Sequence, residues 1–242
     1  MRIDPDSCAV IWDYDGTLVD TRPKNLNVTR TIIRDITGQD PDRYEPLASL
    51  DNYKIALLQT ANWLDLYHQW FDLSQVDTHR AGNLWHEYQT RDTTPTPVFP
   101  GIITVLEQLR HLPQGILSQN SRTVISHALQ DIRLEKYFQA VVGLEDVDFQ
   151  RQKPEPDGLI LCLEQLTRLR PGLVFYVGDH HTDAKCAQMG RQVLAQQDRD
   201  IRLVSIGAFY ALETQPAYGN LFDHIAEQSD DIVRIMEGYC EN

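Results

Sequence analysis

Cysteine is scarce in this chain. Cys8, Cys162, Cys186 and Cys240 are the four among 242 residues, no two form a C-x-x-C pair, and their spacing fits no zinc module. They read as free thiols in a reducing compartment. Basic charge is also short: 22 Lys and Arg stand against 35 Asp and Glu, a net −13. Duplex nucleic acid and anionic membranes need a basic face, so neither is an expected partner. A small anion can still bind where the local field is positive. No apolar run approaches the length that spans a bilayer. The first residues, Met1-Arg2-Ile3-Asp4-Pro5-Asp6, have no apolar stretch behind a basic one. The expectation is a soluble, cytoplasmic protein. Internal repeats and low-complexity tracts are missing too.

What is present is ordinary globular material, with length for one large domain or a core plus a smaller insert. Five short apolar runs read as strands: Cys8–Trp12, Gly115–Leu117, Ala140–Gly143, Leu173–Val177 and Leu203–Ile206. They do not alternate with polar residues, which is the habit of a parallel sheet covered on both faces. Helical spacing fills the gaps. Ile102, Val105, Leu106 and Leu109 precede the second run; Val124, Ile125, Ala128 and Leu129 follow it, with Asn120 or Ser121 as N-cap; Leu159, Leu163 and Leu166 precede the fourth. The alternation predicts an α/β, doubly wound, Rossmann-like core.

One stretch breaks the rhythm. From Asp20 to Thr96 there is no clear strand, helical patterns such as Leu57, Leu58, Ala61, Leu64 and Leu66 recur, and aromatics gather at Trp63, Tyr67, Trp70, Phe71, Trp85 and Tyr88. It ends in the stiff sequence Thr93-Thr94-Pro95-Thr96-Pro97. The expected organisation is a core from 1–19 and 97–242 with a helical domain inserted at 20–96. Its aromatics read first as that domain's own core.

Asp13-Tyr14-Asp15-Gly16-Thr17 follows the first strand run directly. Residues two apart in extended chain point the same way, so Asp13 and Asp15 converge while Tyr14 turns elsewhere, and Gly16 lets the backbone leave sharply. Such folds bind ligands beyond the carboxyl ends of their strands. Two adjacent carboxylates need a shared cation or proton. The plain alternative is an acidic strand-end turn. A calcium loop fails, because its sixth position is Leu18 and its twelfth Lys24.

Gly178-Asp179-His180-His181-Thr182-Asp183 follows the strongest run. Asp179 and Asp183 are about a helical turn apart and can serve one Mg²⁺ as oxygen ligands or through its waters; a capped acidic first turn is the competing reading. His180 and His181 are adjacent, so they share no face for zinc. Ser118, ending the second run ahead of Gln119-Asn120-Ser121, could cradle phosphate with backbone N–H groups or merely cap a helix. Lys153 leads Lys153-Pro154-Glu155-Pro156-Asp157, where two prolines fix the loop and could aim its ammonium; a lone Lys is more often solvated surface.

Taken in order, these residues resemble the haloacid dehalogenase (HAD) superfamily from residue 8 to about 230. Its four motifs match Asp13-Tyr14-Asp15-Gly16-Thr17, Ser118, Lys153, and Gly178-Asp179 with Asp183. The runs Asp13–Asp20 and Lys153-Pro154-Glu155-Pro156, with a helical insert after the first motif, look like the phosphoglycolate phosphatase-like branch. The resemblance implies a Mg²⁺-dependent phosphomonoesterase acting on a small phosphorylated metabolite. In it Asp13 is the nucleophile and Asp15 the general acid/base. Ser118 and Lys153 bind the transferring phosphoryl group, with Gly16, Thr17 and Gln119 around it. Asp13, Asp179, Asp183 and the Asp15 backbone carbonyl serve the metal. Haloacid dehalogenases of the superfamily lack the second Asp, so Asp15 argues for phosphotransfer. A phosphohexomutase sharing all four motifs, and a catalytically silent module on the same fold, stay open as alternatives. Two features depart from the pattern: His180-His181, and the polar stretch Gln196-Gln197-Asp198-Arg199-Asp200. For a substrate carboxylate, Arg22, Lys24, Lys54 and Arg80 are the candidate cations.

Overall fold

The computed structural model describes residues 8–60, 62–166, 172–212 and 216–239. The N-terminal hexapeptide, Ala61 and Cys240 lie outside these. Contacts divide the chain into two compact units, Asp20–Pro97 and Met1–Val19 with Val98–Asn242.

The unit Asp20–Pro97 is helical, with no strand among its described residues. Its helices are α1 (Arg22–Thr37), α2 (Leu50–Leu58), α3 (Trp63–Phe71) and α4 (Gln75–Arg91). Three start signals are chemically explicit. The side chains of Ser49, Asn62 and Ser74 accept from the N–H groups of Asn52, Asp65 and Asp77 at 3.1, 3.0 and 3.1 Å, satisfying donors that a helix start leaves orphaned. α1 stops at Gly38, whose φ of 67° suits a residue without Cβ. The interior joins Val28, Ile32, Ile33 and Leu47 to Tyr53, Leu66, Tyr67 and Phe71. Tyr67 and Phe71 meet edge to face with centroids 5.4 Å apart, and Trp63, Trp70, Trp85 and Tyr88 pack partly buried around them. The aromatics are this unit's core.

The second unit is built on six parallel strands: β1 (Cys8–Trp12), β2 (Gln114–Leu117), β3 (Ala140–Val142), β4 (Gly172–Gly178), β5 (Ile201–Ala208) and β6 (His224–Ala226). The five expected strands are present, and β6 was not anticipated. Both faces of β1 are dry, as the unbroken apolar run implied. Cys8, Val10 and Trp12 pack with Ile116, Phe175, Val177 and Ile206 on one side; Ala9 and Ile11 pack with Leu117, Val174 and Tyr176 on the other. Helices α5 (Ile102–Gln108), α6 (Arg122–Asp131) and α9 (Asp231–Gly238) contribute to the first layer, α7 (Asp157–Leu166) and α8 (His181–Gln196) to the second. Burying side chains of this kind contributes roughly 1.5–3 kcal/mol each.

The strand order is β3-β2-β1-β4-β5-β6. The chain winds outward from β1 to β3, then returns to place β4 on the other flank of β1. Connections therefore diverge beyond the carboxyl ends of β1 and β4, the switch point where doubly wound sheets bind ligands. No helix among the described residues is long and apolar enough to cross a membrane, and the described cysteines Cys8, Cys162 and Cys186 are buried.

Candidate active site

The site is assembled from loops at that switch point. Asp13 is the first residue past β1, and its N–H donates to the Val177 carbonyl at 2.8 Å, tying it to β4. Tyr14 turns into the core, 2% exposed. The backbone then folds back through Gly16, φ +83°, with the Gly16 N–H on the Val19 carbonyl at 2.9 Å. Glycine is required here twice over. Its φ disfavours other residues, and a Cβ would lie 2.4 Å from Asp179 Oδ2. Thr17 is fully buried and donates its hydroxyl to Asp179 Oδ1 at 3.3 Å.

The two loop carboxylates face different partners. Asp13 Oδ1 accepts from Lys153 Nζ at 2.6 Å. Asp15 accepts from the Ser118 hydroxyl at 3.2 Å and from Asn120 Nδ2 at 3.3 Å. Asn120 was foreseen only as a cap; Ser121 takes that position in α6, without a side-chain cap bond, and donates its hydroxyl to Glu145 Oε1 at 3.1 Å. Ser118 also accepts the Asn120 N–H at 3.1 Å. The Gln119 side chain reaches the other way, its Nε2 donating to the Lys153 carbonyl at 3.1 Å. It thereby steadies the Lys153 loop, which carries a cis peptide to Pro154.

Lys153 is 7% exposed and its ammonium also donates to Asp183 Oδ1 at 2.8 Å and to the Leu117 carbonyl at 3.4 Å. Burial alone would discharge it; Asp13 and Asp183 outweigh that and hold its pKa above the ordinary lysine range. Asp183 is buried, and burial would raise its pKa, but Lys153 and the Tyr176 hydroxyl, 2.7 Å from Oδ1, bring it below the usual carboxylate range. Asp183 Oδ2 takes the His180 N–H at 3.0 Å. Asp13 goes the opposite way. Burial raises its pKa, Lys153 opposes this, and Asp183, Asp179 and Asp15 add to the rise. Four carboxylates thus gather here while the Lys153 ammonium bonds two of them, Asp13 and Asp183, an excess of negative charge that a cation would relieve.

Ligand atoms of Asp13, Asp179 and Asp183 lie within 4.8 Å of one another. The donor set is all oxygen, which fits a hard cation such as Mg²⁺, and the missing Gly16 side chain leaves the space beside Asp179 clear. The carboxylate of Asp15 is outside this trio. His180 and His181 stand at the start of α8 with rings 4.1 Å apart; His180 Nδ1 accepts the Thr182 N–H at 3.4 Å, so it serves as a cap. Of the four candidate cations, Arg22 pairs with Asp20 at 2.6 Å and Lys54 with Asp51 at 3.2 Å, both partly buried.

Three tyrosines at the site escaped sequence reasoning. Tyr176 sits under Asp183. Tyr210 donates to the Thr17 carbonyl at 2.6 Å and Tyr218 to the Asp179 carbonyl at 3.0 Å. Burial and the neighbouring aspartates raise the pKa of all three, so they remain donors. Two of the three act on backbone carbonyls, which leave no trace in a sequence.

A doubly wound sheet with a buried Asp–Lys pair and further carboxylates at its switch point has the make-up of an enzyme site. Residues 10–195 match the haloacid dehalogenase-like hydrolase family. The phosphoglycolate phosphatase of Rhodobacter capsulatus is 28% identical over 186 residues, covering 74% of this chain and 79% of that protein. That of Synechococcus elongatus is 30% identical over 186 residues, covering 74% and 78%. Among solved structures, a haloacid dehalogenase-like family hydrolase from Streptococcus pneumoniae has a TM-score of 0.67 at 18% identity, covering 94% of this chain and 97% of that one. The chain belongs to the haloacid dehalogenase-like hydrolase family. It is a hydrolase, of the phosphatase class.

Proposed function

We propose that this protein is a cytoplasmic, Mg²⁺-dependent phosphomonoesterase that cleaves a small phosphorylated metabolite, of the phosphoglycolate type, through an aspartyl-phosphate on Asp13. The observation that carries the reading is the division of labour between the two loop carboxylates. Asp13 lies against Lys153 and the other acids, whereas Asp15 lies against Ser118 and Asn120.

Asp13, Asp179 and the Asp15 carbonyl, with Asp183 directly or through water, would hold Mg²⁺, which when bound offsets the repulsion between phosphate and carboxylate. A carboxylate oxygen of Asp13 attacks phosphorus in line and the ester P–O bond breaks. Asp15 delivers its proton to the leaving alkoxide. It then takes a proton from the water that attacks the aspartyl-phosphate, releasing inorganic phosphate and restoring Asp13. Lys153, the Ser118 hydroxyl and the amides of Thr17 and Gln119 stabilise the equatorial oxygens. The helical unit is read as a cap that excludes water and supplies specificity. The substrate class rests on the two bacterial relatives named as phosphoglycolate phosphatases.

The test is to quench turnover in acid and look for label from a phosphorylated substrate on the protein. A phosphoenzyme cleaved by hydroxylamine, as an acyl phosphate is, and absent from the Asp13→Asn variant supports the mechanism. Turnover without any such species overturns it. In a screen of phosphorylated metabolites, phosphoglycolate should give the highest kcat/KM; a preference for a sugar phosphate would remove the substrate assignment and leave the chemistry.

A further inference from the structure

We propose that Tyr210 and Tyr218 are positioning residues whose hydroxyls pin the Thr17 and Asp179 carbonyls and so set the spacing between the nucleophile loop and the metal-binding aspartate. The inference rests on the Mg²⁺ reading above. Thr17 and Asp179 both lie beyond the rung from the Asp13 N–H to the Val177 carbonyl, where β1 and β4 are parting. Two contacts join the nucleophile loop to the Asp179 side chain: the Thr17 hydroxyl on Oδ1 at 3.3 Å, and the Gly16 backbone close enough that a Cβ would strike it. The 3.3 Å bond is long and weak. The carbonyl ends of the same two residues are held by shorter bonds, 2.6 Å from Tyr210 and 3.0 Å from Tyr218.

Both hydroxyls come from the connection that follows β5, so one segment grips two loops. The rings are themselves placed by packing. Tyr210 stands edge-on to Phe99 with centroids 5.8 Å apart; Tyr218 stands edge-on to Phe209 at 6.0 Å and lies 5.6 Å from His181. Phe209 in turn abuts Phe222 at 5.7 Å. A tyrosine fixed this way has few torsions left to lose, so its hydroxyl is a preorganised donor. Neither tyrosine touches the reacting atoms; each acts through a carbonyl whose residue contributes to the site.

The test uses Tyr210→Phe and Tyr218→Phe, which keep the rings and remove one oxygen each. Tyr239→Phe, whose hydroxyl meets His224 Nε2 at 2.7 Å away from the site, is the control. Mn²⁺ binding to the full-length, metal-stripped protein is followed by the paramagnetic resonance of free Mn²⁺. The Mg²⁺ concentration for half-maximal cleavage of p-nitrophenyl phosphate is measured beside it. Each site variant should bind Mn²⁺ about three- to tenfold more weakly, the effect of one lost neutral hydrogen bond. The Mg²⁺ requirement should rise by the same factor, kcat at saturating Mg²⁺ should largely recover, and the control should not move. A purely structural role would lower melting temperature without this metal-dependent recovery. Affinities of both variants within twofold of wild type would overturn the proposal; a change in one alone would overturn it for the other. Should Tyr210→Phe fail to fold, Tyr218→Phe, whose ring is only partly buried, decides the matter. Failure of the Mg²⁺ reading is distinct: the unaltered protein would then bind no Mn²⁺.

Discussion

The two units of this chain bury opposite things. The α/β unit puts charge inside: Asp13, Asp183 and Lys153 are all buried at the site, and each meets a charged partner within 2.8 Å. The helical unit buries aromatic and aliphatic area and tolerates loose polar ends, with Asn25 Oδ1, Trp70 Nε1 and Gln89 Oε1 buried without a hydrogen-bond partner. Buried charge is costly unless paired, and pairing only partly repays it. Its presence in one unit therefore marks where selection for chemistry outweighed selection for stability. In the other unit a missing hydrogen bond costs little enough to be carried by the surrounding apolar packing.

That contrast predicts where substitutions act. The largest effect should come from Asp13→Asn, a loss of activity on the order of 10⁴-fold or more, as for other catalytic nucleophiles, with circular dichroism and thermal melting showing an intact fold. Near-wild-type turnover would remove the covalent mechanism. EDTA should bring the unaltered enzyme to a similar floor, and Mg²⁺ should restore it; full activity in chelator would break the metal assignment.

Asp15→Asn should cost about 10²–10⁴-fold, and unevenly. An alkyl phosphate leaves as a basic alkoxide that needs a proton, whereas p-nitrophenolate leaves unaided. Rapid-quench measurement should show enzyme phosphorylation slowed far more with the alkyl ester. Dephosphorylation should slow equally for both, since the intermediate is shared. Equal slowing of phosphorylation would mean Asp15 only shapes the site.

On the helical side the readout changes from rate to stability. Phe71 is 2% exposed and packs edge-on to both Tyr67 and Tyr44, so Phe71→Ala should destabilise by about 3–5 kcal/mol. Urea denaturation would measure this, and an unchanged midpoint would refute an aromatic core. The smallest effect is expected at Gly38, where a Cβ would meet nothing within 4 Å and only the positive φ is at stake. Gly38→Ala should cost about 1 kcal/mol and leave turnover unchanged.

The same contrast explains what could be read from residues alone. Asp13-Tyr14-Asp15-Gly16-Thr17 is legible because a strand end and a tight turn force its functional groups into consecutive positions. Asp179 and Asp183 are legible because the end of β4 and the first turn of α8 follow one another directly. β1 and β4 announce themselves as unbroken apolar runs. β6 does not: it is three residues, His224-Ile225-Ala226, with a histidine where an apolar residue would signal burial. Tyr210 and Tyr218 sit within an irregular connection and act through bonds to main-chain oxygens, so no side-chain pattern betrays them. Asn120 looked like a helix cap because its position, next to Ser121, is also where a cap belongs. In the helical unit the aromatic core was visible as composition, but nothing in composition says which cation would meet a substrate carboxylate.

The position of β1 at the centre of the sheet has a consequence for how the molecule comes to be. Its register with β4 joins Cys8 to Leu173, and Asp13 and Asp179 meet only once those distant segments dock. Closing so long a loop is slow, because chain entropy is spent before any contact forms. During synthesis, a chain that has emerged through Lys153 already owns Asp13, Asp15 and Ser118 but lacks Asp179 and the strand that carries it. The half-built protein should be inert toward phosphate esters, and the return of catalysis on refolding should report the arrival of β4 beside β1 rather than the formation of helices.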